Sequence, residues 1–154
     1  MTDLVIDVED PRRADVTALL EQHLAFCKAT SPPEDVHALE IDGLLEPGVT
    51  FFALRRDDEL LAVGALKEID PTHAEIKSMH TAERARRAGV GRALVAHLLA
   101  TAAARGYHRV SLETGSMEAF APARALYASV GFVPCGPFGD YRESPNSDFM
   151  TVQL

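Results

Sequence analysis

Arg84-Ala85-Arg86-Arg87-Ala88-Gly89-Val90-Gly91-Arg92 is the most distinctive stretch of this chain. Four of the 15 Lys and Arg residues fall in these nine positions, in a protein whose formal charge is −8. The stretch opens a helix. Val90, Leu94, Val95, Leu98, Leu99 and Ala102 recur at helical spacing after it, over 89–105, and Gly106 stands where a C-cap is expected. A helix N-terminus offers unpaired backbone N–H groups and the positive end of a dipole. Gly89 and Gly91 carry no side chain, so an anion can approach that backbone, and the arginines surround it with charge. These features predict a phosphate or pyrophosphate site. It is not a P-loop, because no Gly-Lys-Ser/Thr follows, and Leu94 occupies the third position of a Gly-x-Gly-x-x-Gly dinucleotide turn.

Upstream of the glycine turn, His73–Thr81 reads as a strand, and Val49–Arg55 and Leu60–Ile69 read as a hairpin closed by 56–59. Further upstream, Leu4–Val8 is a short strand and Asp10-Pro11 starts a helix over about 11–29. Ser31-Pro32-Pro33 stops that helix, and a shorter one covers 36–45. Downstream, Arg109–Glu113 is a strand, Pro122–Ser129 a short helix and Phe132-Val133 the start of another strand. A polar loop, 136–148, then leads to a final strand over 149–154. The order β-α-α-β-β-β-α-β-α-β-β predicts an α/β protein: one mixed sheet of about seven strands with helices on both faces.

At 154 residues, without repeat or linker, the chain is expected to form one domain, 1–154. With 47% apolar and 25% charged residues it can build a core unaided. The negative balance argues against a nucleic-acid partner bound through a general basic surface. Cys27 and Cys135 are far apart and form no disulfide or zinc pattern. The six histidines form no metal spacing either, so no metal is expected. The start, MTDLVIDVED, lacks the basic region of a signal peptide. The longest apolar run, Ala93–Ala104, has 12 residues where a bilayer needs about 20. The expectation is a cytoplasmic protein with no membrane partner.

Arg86-Arg87-Ala88-Gly89-Val90-Gly91 resembles the Gln/Arg-x-x-Gly-x-Gly/Ala acetyl-CoA loop of the GNAT superfamily of N-acetyltransferases. Ala74–Thr81 is similar to the strand before that loop, and Ala125-Leu126-Tyr127-Ala128-Ser129-Val130-Gly131-Phe132 to the Leu-Tyr…Gly-Phe segment after it. The resemblance covers nearly the whole chain. Ser31-Pro32-Pro33…His37-Ala38-Leu39, Gly64–Glu68 and Cys135–Tyr141 further resemble one bacterial branch of small-molecule acetyltransferases whose acceptors are not generally assigned. The pattern departs at two places. Thr81-Ala82-Glu83 replaces Val-x-Pro, and Phe120-Ala121-Pro122-Ala123 stands where an Asn is common.

The resemblance implies an acyl-CoA N-acyltransferase fold with acetyl-CoA as co-substrate. Arg86, Arg87, Ala88, Gly89, Val90, Gly91 and Arg92 would hold its pyrophosphate. The backbone at Met79 and Thr81, on a bulged strand, would pair with the pantetheine arm. The thioester would sit where the strands 73–81 and 109–114 splay. Acetyl transfer to an amine needs a base for the ammonium proton and an acid for the leaving thiolate. Glu75 is the base candidate, with Glu113 or a relayed water as alternatives, and Tyr127 is the acid candidate. Cys27 and Cys135 lie far from the motif in sequence and are poor nucleophile candidates. His80 could contact the acceptor. The 30–40 segment and the 136–148 loop are expected to roof the acceptor pocket. Ser31, His37, Tyr141 and Arg142 would line it, and Lys77 or Arg142 could hold an acceptor carboxylate. The acceptor is expected to be a small-molecule amine; a non-catalytic acyl-CoA sensor on the same fold is the alternative, and a homodimer stays open.

Overall fold

The computed structural model describes residues 3–30, 41–86 and 88–154. Within them the chain runs β1 (Val5–Val8), α1 (Ala14–Thr30), α2 (Ile41–Leu44), β2 (Val49–Arg56), β3 (Glu59–Asp70), β4 (His73–Thr81), α3 (Val90–Ala104), β5 (Arg109–Gly115), α4 (Ala121–Ser129), β6 (Val133–Cys135) and β7 (Ser147–Gln153). Short 3-10 turns at Glu83–Ala85 and Glu118–Phe120 precede α3 and α4.

The order agrees with the sequence pattern, and the differences are local. Helix α1 begins at Ala14 rather than Pro11, because Asp10 folds 10–13 into a turn of its own: its carboxylate accepts from the Arg12 backbone N–H at 2.9 Å. The hairpin between β2 and β3 turns on Asp57 (φ 53°) and Asp58 (φ 64°), consecutive left-handed residues that match a two-residue turn to the strand twist. Strand β7 starts two residues earlier than expected, because Ser147 and Asp148 pair with Gly115 and Thr114. The part of the expected second helix that falls on 36–40 lies outside the described residues.

The seven strands form one sheet in the order β1-β2-β3-β4-β5-β7-β6. Every neighbouring pair is antiparallel except β4–β5, which is parallel and stops at Ile76↔Leu112. Beyond that point β4 keeps only β3 and β5 keeps only β7, so the sheet opens between them.

Side-chain alternation sorts the core onto two faces. Phe52 and Leu54 of β2, with Ala62, Leu66, Ala74, Ile76 and Leu112, pack under Leu94, Val95 and Leu98 of α3. Phe51 and Ala53, with Val63 and Ala65, pack against Val16, Leu19 and Leu20 of α1. Each fully buried Leu or Val is worth about 1.5–3 kcal/mol, so both helices are anchored by their apolar stripes. Among the described residues no helix is long and apolar enough to cross a membrane.

Candidate active site

A bulge in β4 sets the site. Ala65 pairs with Lys77 but Val63 pairs with His80, so two steps along β3 match three along β4. The extra residue is Ser78, held at φ 56°. Gly64 faces the bulge, and a Cβ there would collide with Met79 Sδ. The inserted residue changes the parity of the strand. Glu75 and Lys77 face the α1 side, where both meet Tyr141, and Ile76 faces α3. Past Ser78, Met79 packs on the α3 side and His80 meets His23 of α1. Without the bulge, Met79 and His80 would exchange faces.

The open gap between β4 and β5 is part of a cleft of about 590 Å³. One end is the glycine turn. Gly89 caps α3 in the left-handed conformation at φ 78°, which strains any residue with a Cβ. The first helical bond runs from Ala93 N to Gly89 O, which leaves the N–H groups of Val90, Gly91 and Arg92 without an intrahelical acceptor. Arg86, Gly89, Val90, Gly91 and Arg92 line the cleft. The Val90 side chain is buried in the core, so only its backbone can serve a ligand. Arg92 leans onto the end of α4, with Ser129 Oγ at 3.3 Å. Ala88 is exposed beside the turn and does not line the cleft, and Arg87 lies outside the described residues. Met79 and Thr81 line the neighbouring wall.

The acceptor side carries a closed polar triangle. The Tyr141 hydroxyl donates to Glu75 Oε2 at 2.6 Å, Lys77 Nζ donates to the same oxygen at 3.3 Å, and Lys77 Nζ lies 2.5 Å from the Tyr141 hydroxyl oxygen. Glu75 is 5% exposed and the Lys77 side chain 8%. Burial, then the charge of Glu75, push the Tyr141 hydroxyl far up, so it stays protonated. Glu113 lines the cleft from β5, and its charge acts on Tyr141 and on the Cys27 thiol.

His80 and His23 face one another with ring centroids 5.1 Å apart. Burial holds both imidazoles down to about 4, with Arg86 adding to the effect on His80 and His80 to that on His23. They are therefore neutral at pH 7. Tyr127 sits on the opposite face of the sheet, 7% exposed, with its ring edge-on to Phe132 at 5.7 Å. Burial pushes its hydroxyl up and keeps it protonated. It nonetheless lines the same cleft as Glu75, reached through the gap.

Several expectations change. Lys77 lines the cleft as expected, but it also donates to Glu75 and Tyr141. Arg142 is exposed and does not line the cleft. Ser31 and His37 lie outside the described residues. Cys27, remote from the glycine turn in sequence, lines the same cleft, with its thiol pushed up by burial and then by Glu113. Residues not singled out from the sequence also contribute: His23 and Phe26 of α1, and Phe120, whose ring meets Phe26 edge-on at 5.1 Å. The signal for the α1 residues was their helical spacing, which places His23, Phe26 and Cys27 on one flank (i, i+3, i+4). Among the described residues no three His, Cys, Asp or Glu side chains converge as a metal site.

The sequence pattern of the Acetyltransferase (GNAT) family matches residues 16–132. The chain belongs to that family. It is 48% identical over 149 residues to the Uncharacterized N-acetyltransferase YsnE of Bacillus subtilis, covering 97% of this chain and 99% of the other. A solved structure from Klebsiella pneumoniae, assigned to the acyl-CoA N-acyltransferases, matches 98% of this chain and 97% of its own, at TM-score 0.80 and 27% identity. A GNAT acetyltransferase from Elizabethkingia anophelis with acetyl-CoA bound shares the fold over 98% of both chains, at TM-score 0.72 and 19% identity. The protein is an acetyltransferase with the acyl-CoA N-acyltransferase fold.

Proposed function

We propose that this acetyltransferase moves the acetyl group of acetyl-CoA to a primary amine of a small molecule, by direct attack in the gap between β4 and β5. The observation that carries the proposal is the end of β4–β5 pairing at Ile76↔Leu112, which lets one cleft reach Glu75 on one face of the sheet and Tyr127 on the other.

Each part of the cofactor has a matching feature of the chain. The N–H groups of Val90, Gly91 and Arg92, which have no intrahelical acceptor, and the Arg86 guanidinium suit a pyrophosphate. The edge of β4 at Met79 and Thr81 that turns away from β3 suits the pantetheine arm, as an added strand. The thioester then lies at the fork. Glu75 accepts a proton as the amine nitrogen bonds to the acetyl carbon. Tyr127 donates to the sulfur as the C–S bond breaks, and its buried ring holds that proton until the thiolate develops. No covalent enzyme intermediate is needed.

Two carboxylates, Glu75 and Glu113, face the acceptor, and the nearby ammonium of Lys77 is already engaged. This favours an amine that brings positive charge and carries no carboxylate of its own. We further propose that the chain works as one domain, 1–154, in the cytoplasm, without metal, nucleic acid or membrane; a homodimer is compatible with this reading.

CoA-thiol release from acetyl-CoA, measured across a panel of primary amines, tests the proposal. Turnover with at least one amine is expected. Tight acetyl-CoA binding without turnover on any amine would make the protein an acyl-CoA sensor.

A further inference from the structure

The 136–148 loop reaches back over the sheet and ends its reach on the base. Tyr141 is 66 residues from Glu75 in sequence, yet its hydroxyl donates to Glu75 Oε2 at 2.6 Å. The ring is fixed independently of that bond. It meets Phe138 at 5.1 Å and Phe149 of β7 at 5.6 Å, and Phe138 meets His73 at the start of β4 at 5.7 Å. The backbone N–H of Tyr141 donates to Phe138 O at 3.1 Å, which closes the turn that presents the ring. A phenylalanine would pack as well in this cluster. The hydroxyl is therefore explained by its polar partners and not by the packing.

Those partners constrain the carboxylate. Tyr141 and Lys77 converge on the same oxygen, Oε2, and Lys77 also donates to Tyr141. Lys77 alone would be a long, flexible counter-ion; its bond to the Tyr141 hydroxyl ties it to a ring that packs on Phe138 and Phe149. Three polar groups buried together stabilise the site only when they satisfy one another. Oε1 lies outside this set of contacts and is the oxygen left to take a proton from the acceptor.

We propose that Tyr141 is a positioning residue for Glu75: it commits Oε2, holds Lys77 in place as counter-ion, and so presents Oε1 to the amine. This rests on the assignment of Glu75 as base. A displacement of about 1 Å at such a group can cost on the order of 100-fold in rate, so docking of the 136–148 loop sets the activity of a residue on β4.

The test is a double-mutant cycle with Tyr141→Phe and Glu75→Gln, read as kcat with one amine acceptor, acetyl-CoA affinity and melting temperature. Tyr141→Phe retains the ring and removes only the hydroxyl. We expect its kcat to fall about 10–100-fold, with acetyl-CoA affinity and melting temperature close to the wild type. The double variant should be no slower than Glu75→Gln alone, because Tyr141 acts through Glu75. Unchanged kcat in Tyr141→Phe overturns the proposal, and so does a double variant slowed by the product of the two single effects. If Glu75→Gln itself keeps the wild-type kcat, the base assignment fails and the proposal fails with it. If Glu75→Gln is slow and Tyr141→Phe is not, only the positioning role fails. Should Tyr141→Phe lower the melting temperature sharply, Lys77→Gln reads the same triangle: a loss of kcat non-additive with Glu75→Gln supports the proposal, and an additive loss overturns it.

Discussion

Glu75 and Tyr127 lie on opposite faces of one sheet and yet line one cleft. In a continuous sheet this would be impossible, because backbone hydrogen bonds would close the space between them. The parallel pairing of β4 with β5 ends at Ile76↔Leu112, and the gap beyond it joins the two faces. The proposed base and acid can thus act on the two sides of one thioester without competing for the same proton.

Tyr127→Phe is expected to keep the fold, since the ring still packs edge-on against Phe132. Loss of the hydroxyl removes the proton for the leaving thiolate. Turnover should fall about 10²–10⁴-fold, roughly the worth of one general acid, with acetyl-CoA affinity retained. Steady-state kinetics beside calorimetry separate the two; wild-type turnover would reduce Tyr127 to a packing residue.

Gly91→Glu addresses the phosphate end. A Cβ at Gly91 would stand 3.2 Å from Leu126 Cδ2 and 3.3 Å from Thr81 Oγ1, so the site is already narrow. An acidic residue in the first turn of a helix favours the helix dipole, and α3 should still form. The same carboxylate repels a pyrophosphate. Acetyl-CoA affinity should fall at least about 100-fold, about 2.8 kcal/mol of lost anion binding. Unchanged affinity in a folded variant would remove the pyrophosphate from the start of α3.

The half-buried histidine pair sets a pH dependence of stability. His23 and His80 are held at about 4 in the fold and titrate near the ordinary imidazole value of 6.5 when unfolded. Between pH 6.5 and 4 the unfolded chain binds protons that the folded chain refuses. The stability is therefore fully present above pH 6.5 and is lost as pH falls toward 4. His23→Asn and His80→Asn should each flatten this decline, as measured by urea unfolding at pH 7 and pH 5. A decline equal to that of the wild type in both variants would place these imidazoles in water.

Acceptor charge gives a matched comparison. An amine and its α-carboxylated counterpart, phenethylamine and phenylalanine, differ only by a carboxylate. With Lys77 engaged and Glu75 and Glu113 on the cleft wall, the decarboxylated member should have the higher kcat/KM by about 100-fold or more, the cost of a buried charge without a partner. Equal use of the two would assign Lys77 to the acceptor after all.

The glycine turn and the helix after it could be read from the sequence because local rules govern both. Left-handed Gly89 and the stripe of Leu94, Val95 and Leu98 need no knowledge of the rest of the chain. The alternation that put Glu75 and Lys77 on one face is equally local. What lay beyond the sequence is long-range. The contact of Tyr141 with Glu75 depends on a loop whose path is set by Phe138 and Phe149. His23 and Cys27 joined the cleft because α1 crosses β4 near the bulge; the bulge itself was implied by the family resemblance, and Gly64 opposite Met79 makes room for it. Lys77 looked available to an acceptor because its partner from the loop had no signature in the sequence.

If Glu75 takes the amine proton at the fork, the pH–rate profiles of Glu75→Gln and Glu113→Gln with one acceptor must differ. Glutamine keeps the size and most of the hydrogen bonding of the carboxylate but cannot accept the proton. Glu75→Gln should lose the acid limb, its rate should rise with pH toward the acceptor's own pKa, and Glu113→Gln should keep the wild-type profile. A wild-type profile in Glu75→Gln would contradict that role of Glu75, assigning the proton to Glu113 if that variant loses the limb and to solvent if neither does.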